Sequence, residues 1–157
     1  MSKSTDWPAS ELDPVRRMRI LVAAIPRAAF RERLLDAPFA DVWGVAGNLE
    51  RGTPQWKKDV TGVAMLQQED ELLDVVIRSY LGVSLRLRAI LRPGWCVMQG
   101  RLLTVGMAAT AEGERTRFAH FAALSFPGSG ALRPLLRHRI HHEFETLERL
   151  AQHGRRR

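Results

Sequence analysis

Residues 115–152, RTRFAHFAALSFPGSGALRPLLRHRIHHEFETLERLAQ, decide the fold. The first third reads as a strand. Arg115 and Arg117 alternate with Thr116 and Phe118, so Thr116, Phe118, His120, Ala122 and Leu124 are expected to share one face. Pro127-Gly128-Ser129-Gly130 breaks the pattern. Beyond it Leu132, Leu136, Ile140, Phe144, Leu147 and Ala151 recur three or four apart, the spacing of an amphipathic helix.

Upstream the period is again two. Val60–Leu66 reads as a strand, with Gln67-Gln68-Glu69-Asp70-Glu71 as its turn. Leu73, Val75 and Ile77 alternate with Asp74 and Arg78. Val83, Leu85, Leu87, Ala89 and Leu91 then alternate with Ser84, Arg86, Arg88 and Arg92, the pattern of a half-buried strand. Arg92-Pro93-Gly94 is a turn. The segment from Trp95 to Thr110 is long for one strand, so a bend is expected at Gly100 or Gly106.

Before the strands, Asp13-Pro14 reads as an N-cap and first helical residue for a short helix over 14–25, carrying Val15, Met18, Val22 and Ile25. Phe30–Leu35 reads as extended. Pro38 opens a second helix with Val42, Trp43 and Ala46, and Gly47, Gly52 and Pro54 cut the next stretch into one or two short helices. Grouped strands with segregated helices define an α+β chain. The long last helix buries its stripe best on the concave face of a curved antiparallel sheet. A frayed terminus is expected over 1–12, one domain over 13–153 and a basic tail over 154–157.

These segments in this order resemble the SRPBCC superfamily, which includes START, polyketide cyclase-like and plant pollen-allergen-like proteins. Leu34-Leu35-Asp36-Ala37-Pro38-Phe39-Ala40-Asp41-Val42-Trp43 is similar to its first strand, Ala-Pro step and Val-Trp helix. Asn48-Leu49-Glu50 through Pro54-Gln55-Trp56 is similar to the second short helix, and Asp59-Val60 with Val63 to the lead into the second strand. Gly113, Thr116 and Arg117 resemble the start of the last strand, and the resemblance spans about residues 30–152. It implies a helix-grip fold, six or seven strands wrapped around the C-terminal helix, with an apolar cavity between them. Members bind lipids, sterols, isoprenoids, polyketides or hormones, and some catalyse cyclisation or dehydration. The helix at 14–25 is an addition to that pattern.

Composition bounds the function. The chain has 157 residues and a net charge of +7, and 45% of it is hydrophobic; a single cysteine, Cys96, excludes a disulfide scaffold or Cys-based zinc module. The longest apolar run, Ile20–Ile25, is far below the roughly 20 residues of a membrane span. A reducing cytoplasm is the expected compartment. Residues 115–157 hold nine basic and three acidic groups, hence +6 of the charge. Arg133, Arg137, Arg139, Arg149 and Arg155–Arg157 form a basic face and tail, read first as a solvated surface with partners at Glu143, Glu145 or Glu148. Phosphate-binding Gly-rich loops and Gly-x-Ser-x-Gly elbows are absent from the sequence.

Met98, Met107, Cys96 and Ala108, with Gly100 and Gly106, are small or adaptable side chains opposite the long helix, a composition that leaves room for a ligand. The expected lining is Tyr80, Trp95, Met98, Met107, Phe118, His120, Leu136, Ile140 and Phe144. His120 is the candidate acid or base, with the alternative that it is a core imidazole bonded to backbone or to Tyr80. Tyr80 either orients a ligand at the cavity mouth or packs its ring at the rim. His138, His142 and Glu145 have metal-compatible spacing but lack the His-Glu-x-x-His pattern, so no metal and no cofactor is expected. Three classes of function fit: binding of a small hydrophobic molecule, a cofactor-independent cyclase or dehydratase in the same cavity, or a basic scaffold for an acidic partner or anionic membrane surface.

Overall fold

The computed structural model describes residues 12–154. The expected frayed segment therefore lies almost wholly outside the described residues, as does the tail from Arg155 to Arg157. In chain order the elements are α1 (Pro14–Ala23), β1 (Ala29–Leu35), α2 (Phe39–Ala46), α3 (Thr53–Trp56), β2 (Val60–Glu69), β3 (Leu72–Ser79), β4 (Ser84–Arg92), β5 (Trp95–Gln99), β6 (Leu103–Glu112), β7 (Arg115–Leu124), a 3-10 turn (Ser129–Leu132) and α4 (Arg133–Gly154).

The seven strands form one antiparallel sheet in the order β1-β7-β6-β5-β4-β3-β2. Helix α4 lies across one face. Ile140, Phe144, Leu147 and Ala151 are buried there, and full burial of each large side chain contributes about 1.5–3 kcal/mol. The chain has the helix-grip architecture, with α1 as a short additional N-terminal helix.

Some strand boundaries and one helix end differ from the sequence reading. The stretch 95–110 is a hairpin of two strands, β5 and β6. The chain turns at Gly100, where a Cβ would press on the Leu87 side chain and the Arg86 carbonyl. Strand β2 runs on to Glu69, leaving only Asp70 and Glu71 as its turn; Asp70 takes φ 51°, a left-handed conformation that a short Asp side chain tolerates. The register of β2 on β3 shifts between Val60 and Gly62 and again between Met65 and Gln67, which bends this edge strand. Helix α1 stops at Ala23, two residues earlier than its apolar pattern.

The period-two patterning puts two cores on opposite faces of β6 and β7. Val105, Met107, Ala109, Phe118 and Ala122 face α4, whereas Ala108, Ala119, Phe121 and Ala123 face α1 through Val15 and Met18. The additional helix is thereby accounted for: it covers the outer face of the β6–β7 ladder. Its start is pinned by Asp13, whose carboxylate accepts from the Arg16 amide at 3.0 Å and the Thr110 hydroxyl at 3.1 Å. Thr110 in turn accepts from the Val15 amide at 3.2 Å.

Candidate functional site

The site begins at α3. Pro54 sets the first turn of this four-residue helix, and the Lys57 amide closes it onto the Thr53 carbonyl at 2.9 Å. Lys57 itself leaves in an extended conformation. Trp56, 1% exposed, meets the rings of Phe118 at 6.0 Å and His120 at 5.5 Å edge-to-face. The Lys57 ammonium stands 5.2 Å from the Trp56 ring centroid.

That ammonium reaches two further groups. It donates to both carboxylate oxygens of Glu143, at 3.1 and 3.0 Å, and stands 3.1 Å from His120 Nε2. On the other side of the imidazole, Nδ1 is 2.7 Å from the Gly106 carbonyl oxygen. A carbonyl only accepts, which assigns the proton to Nδ1 and leaves the Nε2 lone pair facing Lys57. Three ammonium protons therefore meet three acceptors, and His120 is neutral. Burial first, and then the Lys57 charge, push the His120 pKa below its ordinary value, against the opposing pull of Glu143 and the Gly106 carbonyl. Burial by itself would raise the Glu143 carboxyl, but the Lys57 ammonium, through its charge and its two hydrogen bonds, outweighs it and holds the group at about 2. His120 and Glu143 are 3% and 4% exposed, so both are effectively shut off from water.

The opposite face of the sheet explains why residue 106 is a glycine. Its β6 position pairs with Phe121 of β7, and a Cβ there would collide with the Phe121 ring on the α1 side of the sheet. The same residue thus makes room for a ring on the outer face and orients the imidazole on the inner one.

Beside the Trp56–Lys57–His120–Glu143 cluster lies an enclosed cavity of about 120 Å³, with apolar walls that include Val60, Ile77, Met98, Val105, Leu136 and Ile140. Met107 and Cys96 also line it, and burial pushes the Cys96 thiol up to about 12. A wider, open recess of about 580 Å³ adjoins it and shares Trp56, Asp59, Arg139 and Glu143. Between the two, Arg139 Nη1 pairs with Asp59 Oδ2 at 3.2 Å.

The residues named from sequence separate accordingly. Met98, Met107, His120, Leu136 and Ile140 line the enclosed cavity. Trp95 does not. Residues 95 and 98 have opposite parity in one strand, and Trp95 packs beside α1, with the Arg17 guanidinium 5.9 Å from its ring. Phe118 and Phe144 are on the inner face but meet each other edge-to-face at 5.4 Å and fill space as core. Tyr80 is 61% exposed and lines only the outer recess. His138 and His142 border that recess with their Nε2 atoms 3.1 Å apart, and among the described residues no three His, Cys, Asp or Glu side chains converge as a metal site would require.

Lys57 and Glu143 are the residues that sequence reasoning misses, since it places Glu143 on a solvated face. A signal is nonetheless present: position 143 lies three after Ile140 and four before Leu147, on the buried stripe itself. A carboxylate on such a stripe requires a buried cation. The basic face also loses a member to the site, because Arg139 holds Asp59, whereas Glu148 pairs with Arg33 at 3.2 Å.

No protein-family model matches the chain, and no curated protein matches it by sequence. Its structure is similar to many solved ones. The protein BH1534 of Bacillus halodurans superimposes with a TM-score of 0.64 at 16% identity, covering 81% of this chain and 97% of that one. TTHA0849 of Thermus thermophilus gives 0.61 at 18% identity, covering 81% and 98%. The Zhui aromatase/cyclase of Streptomyces sp. R1128 gives 0.57 at 14% identity, covering 80% and 93%. The chain therefore shares the helix-grip fold of these proteins. Among the described residues no helix is long and apolar enough to cross a membrane.

Proposed function

We propose that the protein binds a small hydrophobic molecule between its sheet and α4. The observation that carries this reading is the cavity of about 120 Å³, whose walls are mainly apolar side chains of the sheet and α4, with a polar group of Lys57, Asp59, Ser79, His120, Arg139 and Glu143. Burial of ligand surface at about 25 cal/mol per Å² supplies the driving force. The internally neutralised Lys57–Glu143 pair and neutral His120 set orientation without attracting bulk water. A ligand larger than one ring extends past the Arg139–Asp59 pair into the outer recess. Displacement of a cavity-bound fluorescent probe by small apolar molecules, together with native mass spectrometry after incubation with metabolite extracts, tests the reading. Leu136→Trp, which fills the cavity from its α4 wall, is expected to abolish binding with the fold intact. Binding unaffected by that substitution would place the ligand elsewhere.

A second reading, an enzyme of the cyclase or dehydratase kind, is favoured by the convergence of Lys57 and Glu143 on His120. The fold is shared with an aromatase/cyclase. In this reading Lys57 turns to a substrate oxygen and frees the His120 lone pair to take a proton. Turnover of bound poly-ketone probes that persists unchanged in His120→Ala dismisses it.

A further inference from the structure

Among the described residues, four buried side-chain polar atoms have no hydrogen-bond partner: Arg31 Nε, Trp56 Nε1, Asp59 Oδ1 and Ser79 Oγ. The last three belong to residues that line the enclosed cavity. They also cluster in the fold, because α3 ends at Trp56, Asp59 immediately precedes β2, and Ser79 is the β3 partner of Val60. Buried polar groups are almost always paired, so unpartnered atoms gathered on one cavity mark where a ligand's polar group belongs.

Their chemistry is specific. Trp56 Nε1 only donates, Asp59 Oδ1 accepts, and the Ser79 hydroxyl does either. A group serving both Trp56 and Asp59 must accept and donate at once, and the smallest that does so is a hydroxyl. Charge points the same way. The two cations at the site, Lys57 and Arg139, are each already held by a carboxylate, Glu143 and Asp59. A charged ligand would have to break one of those pairs, and a neutral one would not. Size sets the rest: an apolar cavity of about 150 Å³ admits benzene, and this one, about 120 Å³ with adaptable Met98 and Met107 in its wall, is on the scale of one ring.

We propose that the cavity is a site for a neutral monocyclic compound bearing a hydroxyl, the phenol class, whose oxygen accepts from Trp56 Nε1 and donates to Asp59 Oδ1. This rests on the proposed binding of a small hydrophobic molecule in the cavity and adds the ligand's polar group and charge. The hydroxyl meets polar atoms that are otherwise unpaired, and the ring gains the apolar walls.

Calorimetric titration of the wild-type protein with phenol, anisole, toluene and benzoate tests it. Phenol is expected to bind about tenfold tighter than toluene, since toluene leaves both polar atoms unmet. Anisole, which accepts but cannot donate, falls between them, and benzoate is weakest. In Trp56→Phe, with folding checked by circular dichroism, the ratio of phenol to toluene affinity is expected to shrink; should that variant not fold, the wild-type series decides by itself. Equal affinity for toluene and phenol overturns this inference and leaves the cavity reading standing. Tightest binding of benzoate overturns it in favour of recognition by Lys57 or Arg139. No binding of any of the four overturns both.

Discussion

The β6–β7 ladder has two faces built from the same strands and packed by different rules. The outer face, under α1, is Ala108, Ala119, Ala123 and Phe121 against Val15 and Met18, and among the described residues no buried charged side chain lies there. The inner face, under α4, has the same alternation but holds His120, faces Glu143 and Lys57, and leaves a cavity. Small residues on the outer face let a helix sit close, and close packing needs nothing else. On the inner face the buried pair has to be matched atom for atom, because a charge left alone there costs several kcal/mol. The outer face is therefore tolerant in chemistry and strict in volume. The inner one is the reverse.

The largest test of that contrast is Lys57→Met. It strands Glu143 and is expected to cost about 3–5 kcal/mol in urea unfolding at neutral pH, whereas Lys57→Met with Glu143→Leu restores most of the loss. A double variant as unstable as the single one would show that the pair is not the source of the effect.

Acid should separate the faces next. The folded pKa of Glu143 lies far below its ordinary 4.5, so its contribution is complete above pH 4.5 and is lost as pH falls from there toward 2. His120 is also depressed in the folded state, so its neutral form is retained while the unfolded chain takes up a proton below about 6.5, and stability falls from that pH downward. The Glu143 shift alone corresponds to roughly 3 kcal/mol. Chemical unfolding followed from pH 7.5 to 3 should show both losses in the wild type, and only slight pH dependence of the extra cost of Phe121→Ala on the outer face.

Gly106→Ala comes third. The added methyl meets the Phe121 ring on the outer side, and overpacking of about 1–3 kcal/mol is expected in thermal unfolding. A neutral outcome would mean that the outer core is looser than its burial implies. The smallest effect is Arg139→Gln, which opens a half-exposed ion pair worth under about 1 kcal/mol. Stopped-flow should register it as faster probe association and release with nearly unchanged stability.

Most of the fold is legible in the sequence because it is written in periodicity: the parity of Phe118, His120 and Ala122 and the three-four spacing of Ile140, Phe144 and Leu147 both specify a face. The hairpin at Gly100 is not, since a glycine that turns and one that merely bends a strand look alike in one dimension. The site is half legible. His120 is visible as a polar residue at an apolar position. Lys57 is not, because its role depends on a single turn of α3 that aims it under α4, 86 positions from its carboxylate partner. Trp95 is drawn to the cavity by its proximity to Met98 in sequence, although an odd separation within one strand sends the two side chains to opposite faces.

Cys96 lines the enclosed cavity, is buried, and is the only thiol in the chain. Its thiolate is scarce at neutral pH, and its side chain is wholly shielded from solvent in the folded chain. The rate at which a small disulfide reagent modifies the native protein thus times the opening of the cavity, and a ligand that occupies the cavity should slow that clock in proportion to its occupancy.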